Sequence, residues 1–351
     1  MEQVRPFMVA DKKPETANTV TLTLQPADGL PFHYVPGQYL SFVFSSAAGE
    51  QRRAYSLSSN AGVDARPQIT VKRVVNGAYS TQLVRETKVG DTVFAAGPSG
   101  LFTLPEKLPS SLLYLCGGSG ITPVMSHLKY LLEVETSRKA RIVLVYANRS
   151  AAQTIFKEQL DALAVAHPDR FTLLYMYSKE QGEKQALHGH LNNALFEQLL
   201  KKHVGTSRLR SGVMAYLCAP TALMRMGAMT LRLLDVPFEN IRREIFVPDS
   251  RLQDRAVDTS KTHTIHVTGD EETITFQTYE GETILNAALR QGIALPYTCK
   301  SGVCFTCLAK CIKGEVDVAF FDAVKREGPG EMVNTCIGYA VSEEVEMSFS
   351  S

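Results

Sequence analysis

This 351-residue chain has almost no charge imbalance, 37 Lys and Arg standing against 36 Asp and Glu. A dedicated nucleic-acid binder needs a strong basic excess, so the composition argues against that class. No stretch approaches the roughly 18 uninterrupted apolar residues of a membrane-spanning helix. The opening MEQVRPFMVADKK carries charge where a secretory signal needs an apolar core. Internal repeats and low-complexity tracts are absent. A disulfide framework is missing too: Cys116 and Cys218 are isolated, and the other five of the seven cysteines lie near the C-terminus. These absences predict a cytoplasmic, soluble protein of two or three domains in a reducing compartment, engaging neither nucleic acid nor membrane.

What the chain does have is a spacing. Cys299, Cys304, Cys307 and Cys336 stand as C-x4-C-x2-C-x28-C, the thiolate pattern of a plant-type [2Fe–2S] centre. Three thiolates converge from one tight loop, where Gly302 supplies backbone freedom, and the fourth arrives from a distant segment. Zinc is the competing metal, but zinc ribbons favour two C-x2-C pairs and only one is present. From about His263 onward the chain resembles plant-type ferredoxin, which implies an α+β β-grasp domain. The approach segment agrees, with Ile284, Leu285, Ala288 and Leu289 at helical spacing and Gly292 as the helix stop. One departure is Phe305 with Thr306 between the second and third cysteines, where ferredoxins usually carry small residues. Cys311, in LAKCIKG, reads as an inert thiol on a strand facing a core. Residues 263–351 hold 13 acidic and 6 basic side chains, so the rest of the chain is basic. Such an asymmetry suits docking on a partner.

Upstream, apolar residues alternate with the strand period in TVTLTL, YLSFVF and QITVKR, separated by turns such as VPGQ and GPSG. That pattern predicts a small antiparallel β-barrel over 1–106. Beyond Pro105, continuous apolar runs (LLYLC, IVLVY, TLLYMY, VMAYLC) alternate with helical segments, predicting an α/β parallel-sheet domain over 107–248. A mixed-charge stretch makes 249–262 the expected linker to the ferredoxin-like domain at 263–351.

RAYSLSS resembles the R-x-Y-[ST] flavin motif of the ferredoxin–NADP reductase superfamily. The resemblance implies that Arg53 pairs with a flavin phosphate, Tyr55 packs near the isoalloxazine, and Ser56 offers its hydroxyl near N5. Gly77 and Ser80 match the superfamily's G-x-x-S pyrophosphate stretch, with Val71 and Lys72 on the strand before it. The run CGGSGITP resembles the superfamily's nicotinamide signature rather than G-x-G-x-x-G, because Pro123 takes the last glycine position. Gly117, Gly118 and Gly120 would let the dinucleotide approach the backbone, with Thr122 as helix N-cap and Pro123 first in the helix. Cys218 stands where the family has C-G-P, with Ala219 replacing the glycine, and Glu244 and Phe246 match its E-x-F. No acid follows IVLVY to bind a ribose 2′-hydroxyl. Arg149, Ser178 and Lys179 resemble a 2′-phosphate site, lysine being a less exact fork than arginine. NADPH is therefore expected, with NADH the alternative. His188 and His190 lack further ligands and read as surface or capping residues.

Barrel, nicotinamide domain, then C-terminal [2Fe–2S] domain is the order found in reductase components of multicomponent oxygenases. The chain is most similar to those of the ring-1,2-phenylacetyl-CoA epoxidase and 3-ketosteroid hydroxylase kind. This implies an NAD(P)H-dependent oxidoreductase using FAD and a [2Fe–2S] cluster to supply an oxygenase or another single-electron acceptor protein. Ser56, Cys218 and Glu244 would orient nicotinamide and flavin at its catalytic centre. Alternatives are FMN in place of FAD, a free-standing ferredoxin, flavodoxin or hybrid-cluster-protein reductase, and a non-catalytic zinc-stabilised interaction protein.

Overall fold

In the computed structural model, the described residues are 4–46, 49–135, 140–180, 186–246, 255–269, 273–297, 302, 306–319 and 324–349. The alternating apolar residues of the first hundred positions form β1 (Arg5–Thr16), β2 (Thr19–Pro26), β3 (Tyr39–Ser46), β4 (Gly49–Ser56), β5 (Gln68–Lys72) and β6 (Thr92–Ser99). These strands make one antiparallel sheet in the order β4-β3-β6-β1-β2-β5. Its buried face carries Leu22, Leu24, Leu40, Phe42, Ile69 and Val71. A short helix, α1 (Ala78–Thr81), follows β5.

The continuous apolar runs become an all-parallel sheet because both of its faces are covered. Its strands are β7 (Ser111–Gly117), β8 (Arg141–Asn148), β9 (Phe171–Tyr177), β10 (Ala186–His188), β11 (Val213–Cys218) and β12 (Ile241–Arg243). On β7, Leu112, Tyr114 and Cys116 enter one core with α2 (Ile121–Lys129) and α3 (Lys157–Ala166). Leu113 and Leu115 enter the opposite core with α4 (Asn193–His203), α5 (Thr206–Ser211) and α6 (Thr221–Leu233). The order β10-β9-β8-β7-β11-β12 reverses direction between β7 and β11. Ligands of open α/β sheets bind beyond the carboxyl ends of strands at such a switch point.

Both sheets belong to one compact unit, residues 4–245. The expected division at 106 thus separates two sheets of a single body. Helix α2 and the strands beside it supply the polar contacts of the seam. Ser126 Oγ donates to the Ser59 carbonyl at 2.6 Å, and Lys129 Nζ lies 2.8 and 2.9 Å from the Asp64 carboxylate oxygens. Tyr216 and Arg242 both donate to the Thr103 carbonyl, at 2.9 Å each. His127 is fully buried among Phe102, Tyr114 and Tyr216, and burial pulls its pKa down to about 3, so the ring is neutral.

The second unit contains β13 (Asp258–Thr268), β14 (Thr273–Glu280), α7 (Ile284–Arg290), β15 (Leu308–Lys313), β16 (Val316–Ala319), β17 (Val324–Glu327), β18 (Met332–Asn334), β19 (Gly338–Ala340) and β20 (Glu344–Ser348). A mixed five-stranded sheet, β14-β13-β20-β15-β18, accompanies a three-stranded one, β17-β16-β19. Helix α7 packs Ile284, Leu285, Ala287 and Ala288 into the core, and Gly292 follows it at φ +75°. Cys311 is buried on β15. The expected linker needs correction at its C-terminal end. Residues 258–262 already belong to β13, Asp258 pairing with Glu280 and Thr262 with Tyr279. Their side chains are exposed, so a polar strand edge reads like a linker in sequence. Residues 249–254 of the expected linker lie outside the described residues.

Lys129 and Asp64 are both largely shielded, with side chains 11% and 14% exposed. Replacing Lys129 by Met strands the carboxylate, at a cost of about 2 kcal/mol, between the exposed and fully buried cases. Thermal unfolding of the flavin-retaining protein should then begin some 4–8 °C earlier, by the scaling for units of this size.

Candidate functional site

The glycine turn lies at the switch point. After β7, residues Gly118–Gly120 form a 3-10 turn that runs straight into α2. Gly118 adopts φ +54°, which favours glycine, and the buried Tyr146 hydroxyl donates to its carbonyl at 2.8 Å. A Cβ on Gly120 would collide with the Cys218 carbonyl, so the turn and the end of β11 touch backbone to backbone. Because the 3-10 turn extends the helix upstream, Gly120 is the N-cap, not Thr122. The Thr122 hydroxyl instead donates to the Ser119 carbonyl at 3.0 Å, and Pro123 sits third in the helix.

Three residues distant in sequence meet beside this turn. The Ser56 hydroxyl, at the end of β4, donates to Glu244 Oε2 at 3.3 Å. Glu244 follows β12, and its N–H is held by the Leu217 carbonyl at 3.0 Å. The adjoining Cys218 is 1% exposed and in register with Cys116 on β7. Burial, then the Glu244 charge, pushes the Cys218 thiol well up, which keeps it a neutral thiol. Glu244 is partly exposed as a residue, yet its carboxyl is enclosed. Burial raises its pKa to about 8, against the smaller opposing effect of the Ser56 hydroxyl. The result is an acid that is largely protonated at neutral pH, opposite a hydroxyl and a thiol.

The other flavin-motif residues surround β4 and β5. Arg53 Cζ lies 4.8 Å over the Tyr79 ring, which itself packs against Phe44, tilted by 33° with centroids 4.5 Å apart. Sequence reading missed Tyr79, although it sits within G-x-x-S. Tyr55 packs edge-on to Phe42, and burial pushes its phenol up to about 12. The Val71 side chain is wholly in the core, so it has only backbone to offer a ligand. Ser80 Oγ bonds within its own turn, accepting from Val74 N–H at 3.0 Å and donating to the Gly77 carbonyl at 3.2 Å. The hydroxyl expected to face a pyrophosphate is therefore committed to shaping the loop. Gly77 is needed there because a Cβ would press on Ser80 Oγ at 2.7 Å.

Arg149, Ser178 and Lys179 come together because the ends of β8 and β9 pair: Ser178 N–H donates to the Asn148 carbonyl and Lys179 N–H to that of Arg149. Glu180, also missed, places its carboxylate on the Ala151 N–H at 2.5 Å. No strand-end motif announces it, since the acid follows β9 and its partner follows β8. Phe246 opens the second unit and is 41% exposed.

In that second unit, Cys307 and Cys336 are buried, 1% and 7% exposed. Gly302 N–H donates to Cys336 Sγ at 3.2 Å, and Asn334 Nδ2 returns a bond to the Gly302 carbonyl at 3.1 Å. Thr335 holds the Cys307 carbonyl with both its N–H and its hydroxyl. Gly302 has φ +74°, and a Cβ there would strike Ile337. A backbone amide aimed at a cysteine sulfur in a glycine-dependent cradle fits thiolate ligands of an iron–sulfur cluster. Cys299, Cys304 and Phe305 lie outside the described residues.

Residues 6–104 match the oxidoreductase FAD-binding domain, 114–228 the oxidoreductase NAD-binding domain, and 266–341 the 2Fe-2S iron-sulfur cluster binding domain. The ferredoxin reductase component of 3-ketosteroid-9-alpha-monooxygenase from Rhodococcus rhodochrous is 31% identical over 324 residues, covering 89% of this chain and 87% of that protein. The chain belongs to this family of iron–sulfur flavoprotein reductases. A component of the 1,2-phenylacetyl-CoA epoxidase from Escherichia coli K12 is 30% identical, covering 88% and 86% of the two chains. Phthalate dioxygenase reductase shares the fold at TM-score 0.62 with 23% identity, over 99% of this chain and 98% of that one. The protein is thus an NAD(P)H-dependent oxidoreductase whose cofactors are FAD, a nicotinamide dinucleotide and a [2Fe–2S] cluster. Among the described residues, no helix is long and apolar enough to cross a membrane.

The raised carboxyl carries a stability consequence of definite sign. Between about pH 4.5 and 8 the folded chain binds a proton at Glu244 that the unfolded chain has lost, so this group's contribution falls as pH rises through that window. Urea midpoints measured from pH 5 to 8 should decline more steeply for wild type than for Glu244→Gln. Parallel curves would mean a solvated carboxyl.

Proposed function

We propose that the chain is the reductase component of an oxygenase system, taking hydride from NADPH and delivering electrons one at a time to a separate oxygenase protein. The meeting of Ser56, Cys218 and Glu244 beside the glycine turn carries this reading, because the three come from the flavin and nicotinamide sheets. The oxygenase named for the Escherichia coli relative, an epoxidase of phenylacetyl-CoA, supplies the substrate class of the proposed partner system. Bound FAD and [2Fe–2S] together provide the conversion between a two-electron donor and a one-electron acceptor. The chain's own residues do the rest. Ser56 and protonated Glu244 present hydrogen bonds at the edge where nicotinamide and flavin meet, and Cys218 limits the space beside them. Arg53, fixed by Tyr79, pairs with a flavin phosphate; Tyr55, the Val71 backbone, Gly77 and Ser80 shape the remaining flavin surface. Gly117, Gly118, Gly120 and Thr122 form the dinucleotide turn. Cys299, Cys304, Cys307 and Cys336 are the cluster ligands.

The finer fold assignments belong to the same reading. An antiparallel bridge between Leu57, just past β4, and Ile69 on β5 joins the two outer strands of the flavin sheet, which supports a barrel. Parallel β13 and β20 beside the β13–β14 hairpin, with α7 packed on them, support a β-grasp. The acidic composition of 263–351 supports docking on a protein partner, and a cytoplasmic location completes the proposal.

Cys307→Ser should abolish the iron–sulfur absorbance while stopped-flow reduction of the flavin by NADPH stays within about twofold, because hydride transfer precedes the cluster. Loss of flavin reduction in a folded variant would break that order. Selectivity for the coenzyme supplies a second test. Lys179→Ala should raise the KM for NADPH by about tenfold and leave NADH unchanged, since only NADPH presents a 2′-phosphate. Equal losses would give Lys179 another role.

A further inference from the structure

The end of β18 buries a polar side chain in the second unit. Asn334 is 2% exposed and stands between Val333 and Thr335, both fully buried. An amide enclosed in this way is unfavourable unless both of its ends find hydrogen bonds. Asn334 satisfies only one. Its Nδ2 donates to the Gly302 carbonyl at 3.1 Å, whereas its Oδ1 is buried and, among the described residues, without a hydrogen-bond partner. The same contact fixes which way the amide points, because only the NH2 group can face a carbonyl oxygen. Stability alone favours an apolar side chain at such a place, so the donor is explained by what it holds. What it holds is a glycine in the left-handed region, at φ +74°, whose N–H donates to Cys336 Sγ at 3.2 Å. The N–H and the carbonyl of Gly302 are thus bound by two residues of one short segment, Cys336 and Asn334. Thr335 between them holds the Cys307 carbonyl, and its own carbonyl accepts the Leu285 N–H at 3.0 Å, which pins the segment to the start of α7.

We propose that Asn334 is a positioning residue that sets the potential of the iron–sulfur cluster, by gripping the Gly302 carbonyl so that the Gly302 N–H stays on Cys336 Sγ. This rests on Cys336 being a cluster ligand, as in the reading above, and adds to it a side chain that acts on the cluster only through Gly302. The direction of the effect follows from charge. A hydrogen bond to a ligand sulfur favours the more negative, reduced state of a cluster, so the Gly302 amide raises the potential and loosening it lowers the potential. A higher potential draws electrons from flavin to cluster, and Asn334 therefore bears on the second half of the transfer and not on hydride uptake.

The test uses the FAD-loaded, cluster-loaded protein in redox titrations followed by electron paramagnetic resonance. Asn334→Leu should make the cluster about tenfold harder to reduce at equilibrium, a shift of roughly 59 mV to more negative potential for a one-electron couple. The flavin potential should not move, and stopped-flow reduction of the flavin by NADPH should stay within about twofold. Pulsed resonance spectra of the reduced protein should show a weaker coupling to the exchangeable proton nearest the cluster. An unchanged cluster potential with a lowered melting temperature would make Asn334 a structural residue and overturn the proposal, as would a shift to more positive potential. Should Asn334→Leu not take up the cluster, Asn334→Ser, whose side chain is an atom shorter, decides by the same readings, and a cluster lost from both variants would overturn the proposal in favour of a role in assembly. Cys336→Ser tests the underlying reading separately: a variant that keeps the wild-type cluster spectrum would count against Cys336 as a ligand and would remove the proposal with it.

Discussion

A hydroxyl at the end of β4 and a carboxyl just past β12 lie 3.3 Å apart, and each is delivered by a different sheet. That contact exists only while the antiparallel and parallel sheets keep their relation, so much of the first unit can be understood as holding it. Helix α2 is the main brace: Ser126, His127 and Lys129 all face the first sheet's loops from one turn of helix. From the other side, Tyr216 and Arg242 hold the Thr103 carbonyl. None of these residues needs to touch a cofactor. Their work is to keep two cofactor-binding surfaces at a fixed separation, which is what orientation demands of a transfer between bound groups.

Enclosure of the carboxyl then sets the chemistry. With its pKa raised to about 8, Glu244 presents a hydrogen-bond donor at neutral pH rather than a charge. The neighbouring thiol is likewise held neutral by burial. The site beside the glycine turn is therefore polar without fixed charge, whereas Lys72 and Arg149 lie close enough that the Arg149 charge, after burial, lowers the Lys72 pKa. The second unit repeats the logic of enclosure around sulfur, with the Gly302 amide directed at Cys336.

Much of this was legible from sequence because periodicity and special residues have local causes. The strands at TVTLTL, LLYLC and VMAYLC follow from alternating or continuous burial, and the glycine turn follows from steric need at Gly118 and Gly120. Thr122 was misread as a cap because the 3-10 turn before it is set by the touching end of β11, a tertiary contact. Residues 258–262 looked like linker because an exposed strand edge and a linker share composition. Glu180 and Tyr79 were invisible for a related reason: each depends on which segments the fold lays side by side.

The central claim is that one chain couples a hydride donor to single-electron delivery through FAD and a [2Fe–2S] centre. An anaerobic titration of the purified holoprotein with NADPH, followed by visible absorbance and by electron paramagnetic resonance, tests it most directly. The account predicts that flavin and iron–sulfur bands both bleach, with about one and a half NADPH consumed per chain and a reduced-cluster resonance appearing. Bleaching of flavin alone, with zinc or no metal recovered in place of iron, would contradict it.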